Sequence, residues 1–421
     1  MIEFLLVFCY VFCFSLRGGS GIDSSMLVAA YLILYFLFHP LLIKKTFQFF
    51  TKLYFRKIFF LYLGINLWCL LVIVFNGTMD ISYMLTFLHM FFLVIVGCLL
   101  YLYIDFHNHS HRVVNYLVLA FIAQTIIEWS AFLIPSFKEI INTTKSDETI
   151  KKGLSYTGVR ANGLSGSDFF GLSAAFALIS VVFLSKRNTI LNINRVIKFL
   201  LFLFLLSGTF FAGRTGFVGL VVIFLFFIYN KRNKREVRRP FNKWERLLLI
   251  IFPIFVILGV SYLVVLYNTD NNIYNLFNFA FEAFVNFSEN GSAEMSSVSK
   301  LENHYYSMSL FTFIFGDGRY MMEDGSYYGS TDVGYMRVVL YMGSIGLLML
   351  ILMQLSILKI RRCNEKKLTI VILLLLFILH AKGEVIVWNQ IVLDTMMLFS
   401  LQNLNLSRQL VGEYENTCHI K

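Results

Sequence analysis

The chain has 421 residues, of which 58% are hydrophobic and 17% aromatic, while Lys+Arg (36) and Asp+Glu (25) make up only 14%, against about a quarter in soluble domains. With 46 Phe and a mean hydropathy of +0.70, a soluble globule would leave large apolar patches in water, so soluble-domain and disordered classes are excluded and the main solvent is lipid. The net charge of +11 lies in short clusters between apolar segments, with no aromatic stacking platform among them, which argues against a nucleic-acid partner.

A span needs about 20 mainly apolar residues, and apolar runs recur from Phe4 to Leu401. They predict helices over 2–16, 26–43, 58–75, 83–104, 113–134 and 164–184, then 199–211, 217–229, 247–267, 333–358, 368–380 and 390–403. The expectation is an all-α polytopic membrane protein of about 12 transmembrane helices, with residues 1–421 forming one integral membrane domain. Loops 44–57, 105–112, 185–198, 230–246 and 359–367 and the tail 404–421 carry 25 of the 36 Lys and Arg residues. By the positive-inside rule these face the cytoplasm, as do both termini. The remaining loops are external. Residues 135–160 form the smaller one, and 268–332 the large one, with nine acidic residues against the basic pair Lys300 and Arg319. The six cysteines fall in apolar spans or inner loops without metal-ligand spacing, so neither a disulfide framework nor a metal is expected. His107, His109 and His111 alternate in a short inner loop with no carboxylate or thiol set to complete a site.

Scarce charges mark the candidate site. Segments 199–211 and 217–229 have 13 residues each, about 20 Å against a hydrocarbon core of about 30 Å. Their tip, AGRTG, therefore places Arg214 below the outer interface, where a charge needs a cavity or a partner; the alternative is longer helices and an arginine reaching the head groups. Arg160 precedes a Gly- and Ser-rich entry to a helix carrying Asp168, a place where backbone N–H groups favour anions, although a basic residue flanking a span is also ordinary. Between Phe315 and Leu350 the glycines 316, 318, 325 and 329 shape a loop that ends at Asp332, and Gly343 and Gly346 suit close helix packing deeper in the span. Asp332 beside Arg337, with Arg319 and Tyr335 near in sequence, suggests an acid/base group next to an anion clamp. The plainer alternative is an ion pair between Asp332 and Arg337. Lys382 and Glu384, in a short external connection, are placed to line the same pocket, whereas His304 in the large loop suits a solvated or packed role. No Walker motif or nucleotide fingerprint is present.

Three stretches, RANGLSGSDFFG, SGTFFAGRTGFVGL, and FGDGRYM followed by TDVGYMRVVLYMGSIG, carry a resemblance. In order and spacing the chain resembles the Wzy-type O-antigen polymerases of the O-antigen polymerase/ligase superfamily. That resemblance implies a bacterial inner-membrane glycosyltransferase that joins oligosaccharide repeat units on undecaprenyl diphosphate at the periplasmic face, without metal or other cofactor. Its partners would be the lipid-linked glycan donor and acceptor, the bilayer, and a chain-length regulator protein. It implies Asp332 as base and, with Arg319, as the catalytic pair, with Arg160, Arg214, Arg337, Tyr335, Lys382 and Glu384 binding substrate. Related ligases carry histidine where this chain has Asp332, which favours polymerase over ligase. A lipid-linked oligosaccharide flippase or other polysaccharide transporter is the alternative from another class; it should show broken helices and charges near the midplane in both halves.

Overall fold

The computed structural model describes residues 1–15, 22–145, 150–151, 163–166, 168–185, 193–231, 286–287, 304–358 and 366–404. The expected helix 247–267 and most of the large external loop lie outside them, as does the tail from 405. The described residues form helices and turns with no strand. Two compact units divide at Phe121: the first holds 1–16, 21–120 and 301–421, the second 121–300 together with 17–20.

The first unit begins with α1 (Ile2–Phe12), α2 (Ser24–Leu37), α3 (Pro40–Phe50), α4 (Leu53–Asn76) and α5 (Ser82–Phe106). The caps are local chemistry. Asp23 accepts from Met26 N at 3.0 Å to start α2, and Gly77 at φ 63° ends α4. Where one segment was expected over 26–43, Pro40 breaks the run. Its missing N–H and its ring push His39 to φ −127°, ψ 85°, and α2 meets α3 at 115°. α5 is the centre of the unit, with Leu93, Val94, Cys98 and Leu100 fully buried, while α4 turns Leu67, Val74 and Phe75 outward. An 18-residue apolar run with such an outward face suits lipid.

α6 (Val113–Leu133) carries the chain into the second unit, which continues with α7 (Pro135–Asn142), α8 (Phe169–Ser185), α9 (Arg195–Ala212) and α10 (Val218–Lys231). Small residues set its packing: a Cβ on Gly219 would stand 2.6 Å from the Ala177 carbonyl oxygen, and Ser173 Oγ donates to Gly213 O at 2.6 Å. α9 is longer than the expected 199–211, because Asn194 accepts from Val196 N at 3.1 Å and starts the helix earlier. Its 18 residues span about 27 Å, so the length of this helix does not by itself hold Arg214 below the outer interface.

The chain returns to the first unit with α11 (Leu310–Phe315), α12 (Gly334–Leu358), α13 (Lys366–His380) and α14 (Gln390–Asn403). Among the described residues four helices are long and apolar enough to cross a membrane, Tyr54–Asn76, Ser82–Phe106, Ser110–Leu133 and Gly334–Leu358, or five if the bent α2–α3 pair is one span.

α12 is broken at Gly343, whose φ of 68° and ψ of −179° are not helical. Residues 340–342 thereby lose the N–H groups that would have followed them, and lipid offers no replacement. The chain supplies three. Asp317 N donates to Leu340 O at 2.7 Å, Gly318 N to Tyr341 O at 3.0 Å, and Trp68 Nε1 to Met342 O at 2.8 Å. Asn76 Nδ2 and Thr78 Oγ1 then hold the carbonyls of Gly316 and Gly318 at 3.2 and 2.6 Å. The Phe-Gly-Asp-Gly run is thus a backbone plug for a broken span, and Gly343 is both the break and the close-packing glycine expected, with the backbone of Ile314 and Phe315 in α11 seated against it. α11, part of the expected external loop, packs on α12 here and exposes Leu310, Phe311 and Phe313.

Candidate functional site

The first turn of α12 carries Arg337, and the 381–389 connection between α13 and α14 carries Glu384. The two are brought together by close backbone contact: a Cβ on Gly334 would lie 2.5 Å from the Gly383 carbonyl oxygen and 2.6 Å from that of His380. The connection is buried, with Val385, Ile386 and Val387 at most 1% exposed. Its N–H groups are met from neighbouring helices. Val385 N and Ile386 N donate to His380 Nδ1 at 3.0 and 3.3 Å, and Val387 N donates to Gln354 Oε1 at 3.3 Å.

Arg337 Nη1 lies 2.7 Å from Glu384 Oε2, with the two side chains 7% and 3% exposed. Tyr320 Oη donates to the same Glu384 oxygen at 2.7 Å. Burial first, and then the Glu384 charge, push the Tyr320 hydroxyl well above the ordinary tyrosine range, which keeps it a donor. Arg337 Cζ sits 3.5 Å from the centre of the Tyr327 ring and 4.2 Å from that of Tyr320, a cation–π arrangement. Arg337 Nε and Nη2 are buried and have no hydrogen-bond partner among the described residues. These nitrogens form one edge of the guanidinium fork, the edge that grips a carboxylate or phosphate side-on.

The tyrosines stand on a small hairpin closed by Asp324-Gly325, in which Tyr328 N donates to Tyr320 O at 3.1 Å and Met322 N to Ser326 O at 2.8 Å. Asp80, between α4 and α5, anchors it by accepting from Tyr320 N at 2.6 Å and Met321 N at 3.3 Å. Behind them Tyr83 stacks on Trp388 and Tyr341 at 4.0 and 4.6 Å. Partial burial raises the Asp80 carboxyl, but the Ser82 hydroxyl and the N–H groups of Tyr320, Ser82 and Met321 outweigh it and hold the group below its usual range. A carboxyl so lowered stabilises the fold above pH ~4 and loses that contribution as pH falls through its folded value. Asp80→Asn should therefore lower the melting temperature in detergent by about 2 °C at pH 7. The difference from wild type should close as pH drops below about 4; a difference that stays constant to lower pH would show that the charge is not what holds the hairpin.

The other expected site residues are dispersed. Asp332 is 66% exposed and lies 3.8 Å from His304 Nε2, so it is not the partner of Arg337. Asp332 lies before α12, which starts at Gly334, so the helix that carries Arg337 does not carry Asp332. His304 is accordingly engaged, with Nδ1 2.9 Å from Ser330 O. Arg319 is exposed. Tyr335 turns away toward α13, donating to Phe377 O at 3.0 Å and meeting the His380 ring edge-on at 4.7 Å. Lys382 is half-buried two residues before Glu384. Arg160 and the Arg214 side chain lie outside the described residues. Asp80, Tyr320, Tyr327 and Trp388 were not singled out from sequence, although Asp80 is the lone charge in the connection between two apolar runs.

The described residues therefore form helices and turns without strands, with helices fit to cross a membrane and a buried arginine–glutamate cluster roofed by tyrosines at the end of one of them. Comparison with models of known families, with curated proteins and with solved structures returned no match to this chain.

Proposed function

We propose that the protein is a polymerase of lipid-linked oligosaccharides, a metal-independent glycosyltransferase of the bacterial inner membrane whose twelve spans carry the reaction to the periplasmic face. One observation carries the reading: Arg337 keeps the side-on edge of its guanidinium unengaged in a buried, aromatic setting. A diphosphate on a polyprenol is the leaving group such an edge suits, since its charge must be held where water is scarce. An acceptor hydroxyl attacks the anomeric carbon, the new C–O bond forms as the bond to diphosphate breaks, and the departing lipid diphosphate keeps the electron pair. The hydroxyl proton passes to Asp332, which has His304 Nε2 3.8 Å away, Arg319 assists at the diphosphate, and the anomeric centre inverts. Tyr320, Tyr327 and Tyr328 supply faces on which sugar rings stack.

The break at Gly343 and buried acids within the apolar helices of both units, Asp394 and Glu128, favour a second reading, a lipid-linked oligosaccharide transporter. Surface glycan separates the two. In cells lacking their own copy, Arg337→Lys, Asp332→Asn and Arg319→Ala proteins present at normal membrane levels should abolish the polymer ladder while single repeat units still reach the surface. If single units vanish as well, transport or ligation is the function; if ladders persist in all three variants, the site is elsewhere.

A further inference from the structure

The bend between α2 and α3 creates a surface that the proposed reaction does not use. Side chains hold the bend. His39 N donates to Phe36 O at 2.9 Å, and the Tyr35 carbonyl is met by the His39 ring, whose Nδ1 donates to it at 2.7 Å. That ring stacks on Tyr35 at 4.1 Å and meets Phe106 of α5 edge-on at 5.9 Å. With α2 in the bilayer, α3 at 115° to it runs close to the membrane plane. The sides of α3 differ in chemistry. Leu42 and Phe49 are buried, and the Phe49 ring lies 6.3 Å from that of Phe55 in α4. At about 100° per residue, Ile43, Phe47 and Phe50 fall on one flank of this buried line, with Phe47 71% exposed. Lys45, Gln48 and Lys44 fall on the other flank, where Leu41, in the first turn, is the exception. A helix lying in a membrane surface uses three such sides, one each for protein, acyl chains, and head groups with water.

The head groups this surface suits are anionic. Between Asp23 and Asp80 the chain has no acidic residue, and all the Lys and Arg residues of that stretch stand between Lys44 and Lys57. Lys44 and Arg56 are exposed, with no ion pair among the described residues. Lys45 Nζ sits 5.9 Å from the centre of the Phe106 ring, which holds the side chain at the edge of the protein without a counter-ion among the described residues. The Phe50 and Phe55 rings meet at 4.4 Å, so the first turn of α4, and Arg56 with it, stands beside the end of α3. Unbalanced cations above an exposed apolar flank match a phosphodiester above its acyl chains.

We propose that α3 and the first turn of α4 form a binding site for an anionic phospholipid, whose head group is drawn by Lys44, Lys45 and Arg56 and whose acyl chains lie against Ile43 and Phe47. The bound lipid fixes α3 in the membrane surface.

The test is native mass spectrometry of the full chain in detergent, titrated with phosphatidylglycerol or with zwitterionic phosphatidylcholine of the same chains. Wild type should retain phosphatidylglycerol at the lower concentration. Each Lys or Arg near an anionic surface is worth roughly a factor of five, so K44Q/K45Q/R56Q should need at least about tenfold more phosphatidylglycerol for the same occupancy. The control R112Q/K366Q/K367Q removes as many charges from other basic loops and should bind as wild type does. All three proteins should melt alike in detergent without lipid; if K44Q/K45Q/R56Q does not, K44Q/R56Q, which leaves Lys45 on Phe106, carries the comparison. Equal retention of the two lipids by wild type would overturn the proposal. An equal loss in the control would mean attraction to charge at large and overturn it too. A dimer that persists without added lipid and is broken by Phe47→Ser would give the surface to a second copy of the chain, and that also overturns it. None of these outcomes bears on the glycan assay, so this site and the polymerase reading stand or fall separately.

Discussion

Arg337→Met alone should destabilise the protein by about 3–5 kcal/mol, because it leaves Glu384 charged and buried without its counter-ion. Glu384→Gln should cost less, since the Gln oxygen still accepts from Tyr320 Oη, but Arg337 is then the unbalanced charge. Making both changes removes both charges and their desolvation cost together. The double variant should recover most of the loss, with a coupling energy of about 2 kcal/mol in a double-mutant cycle measured by unfolding in detergent. Additive effects would mean that the 2.7 Å contact contributes nothing specific. Recovery of folding without recovery of glycan polymer would separate the two roles of Arg337, as counter-ion and as anion grip.

Gly343→Ala should be the most damaging change of a single methyl group in the described chain. Alanine at φ 68°, ψ −179° is strained by about 1–3 kcal/mol. Its Cβ would also fall against the Ile314 carbonyl oxygen and 2.7 Å from the Phe315 carbonyl carbon, both of them backbone. Because backbone cannot swing aside as a side chain can, α11 would have to leave α12. The Leu340 and Tyr341 carbonyls would then lose their partners Asp317 N and Gly318 N, at about 1–3 kcal/mol each. Loss of folded protein from the membrane fraction is expected. Gly346→Ala is the control on the same helix, where the atoms in the way belong to the flexible Met342 side chain, and it should be tolerated far better. Equal tolerance of both changes would show that the plug is not needed to hold the break.

Most helices of the described chain were legible from apolar runs. The predicted 83–104, 333–358 and 390–403 appear as Ser82–Phe106, Gly334–Leu358 and Gln390–Asn403, because lipid enforces both length and apolarity. The bend at Pro40 carried a local signal that length alone overrode. The break at Gly343 did not, because glycine in a span reads equally as close helix packing, and only the distant partners Trp68 and Asp317 reveal the break. Rarity of charge picked out Arg337 and Glu384 correctly as neighbours of one cluster. The alternative of an Asp332–Arg337 ion pair does not hold, since Asp332 stands before the first residue of α12 and meets His304, while Arg337 meets Glu384. The tyrosine roof was illegible because a hairpin's register against Asp80 is tertiary, and Tyr320 and Tyr327 are two among 22 tyrosines.

The plug at Gly343 has a consequence for biosynthesis. Trp68, Asp317 and Gly318 all precede Gly343, so every group that seals the break has left the ribosome before the break itself enters the bilayer. Arg337 is in the opposite position. Its tyrosine roof and the Asp80 anchor are already made, but Glu384 is translated only after the whole of α12 and α13. During insertion the arginine must therefore be held by aromatic faces and water alone, and arrival of the 381–389 connection is the step that locks the end of α12 in place.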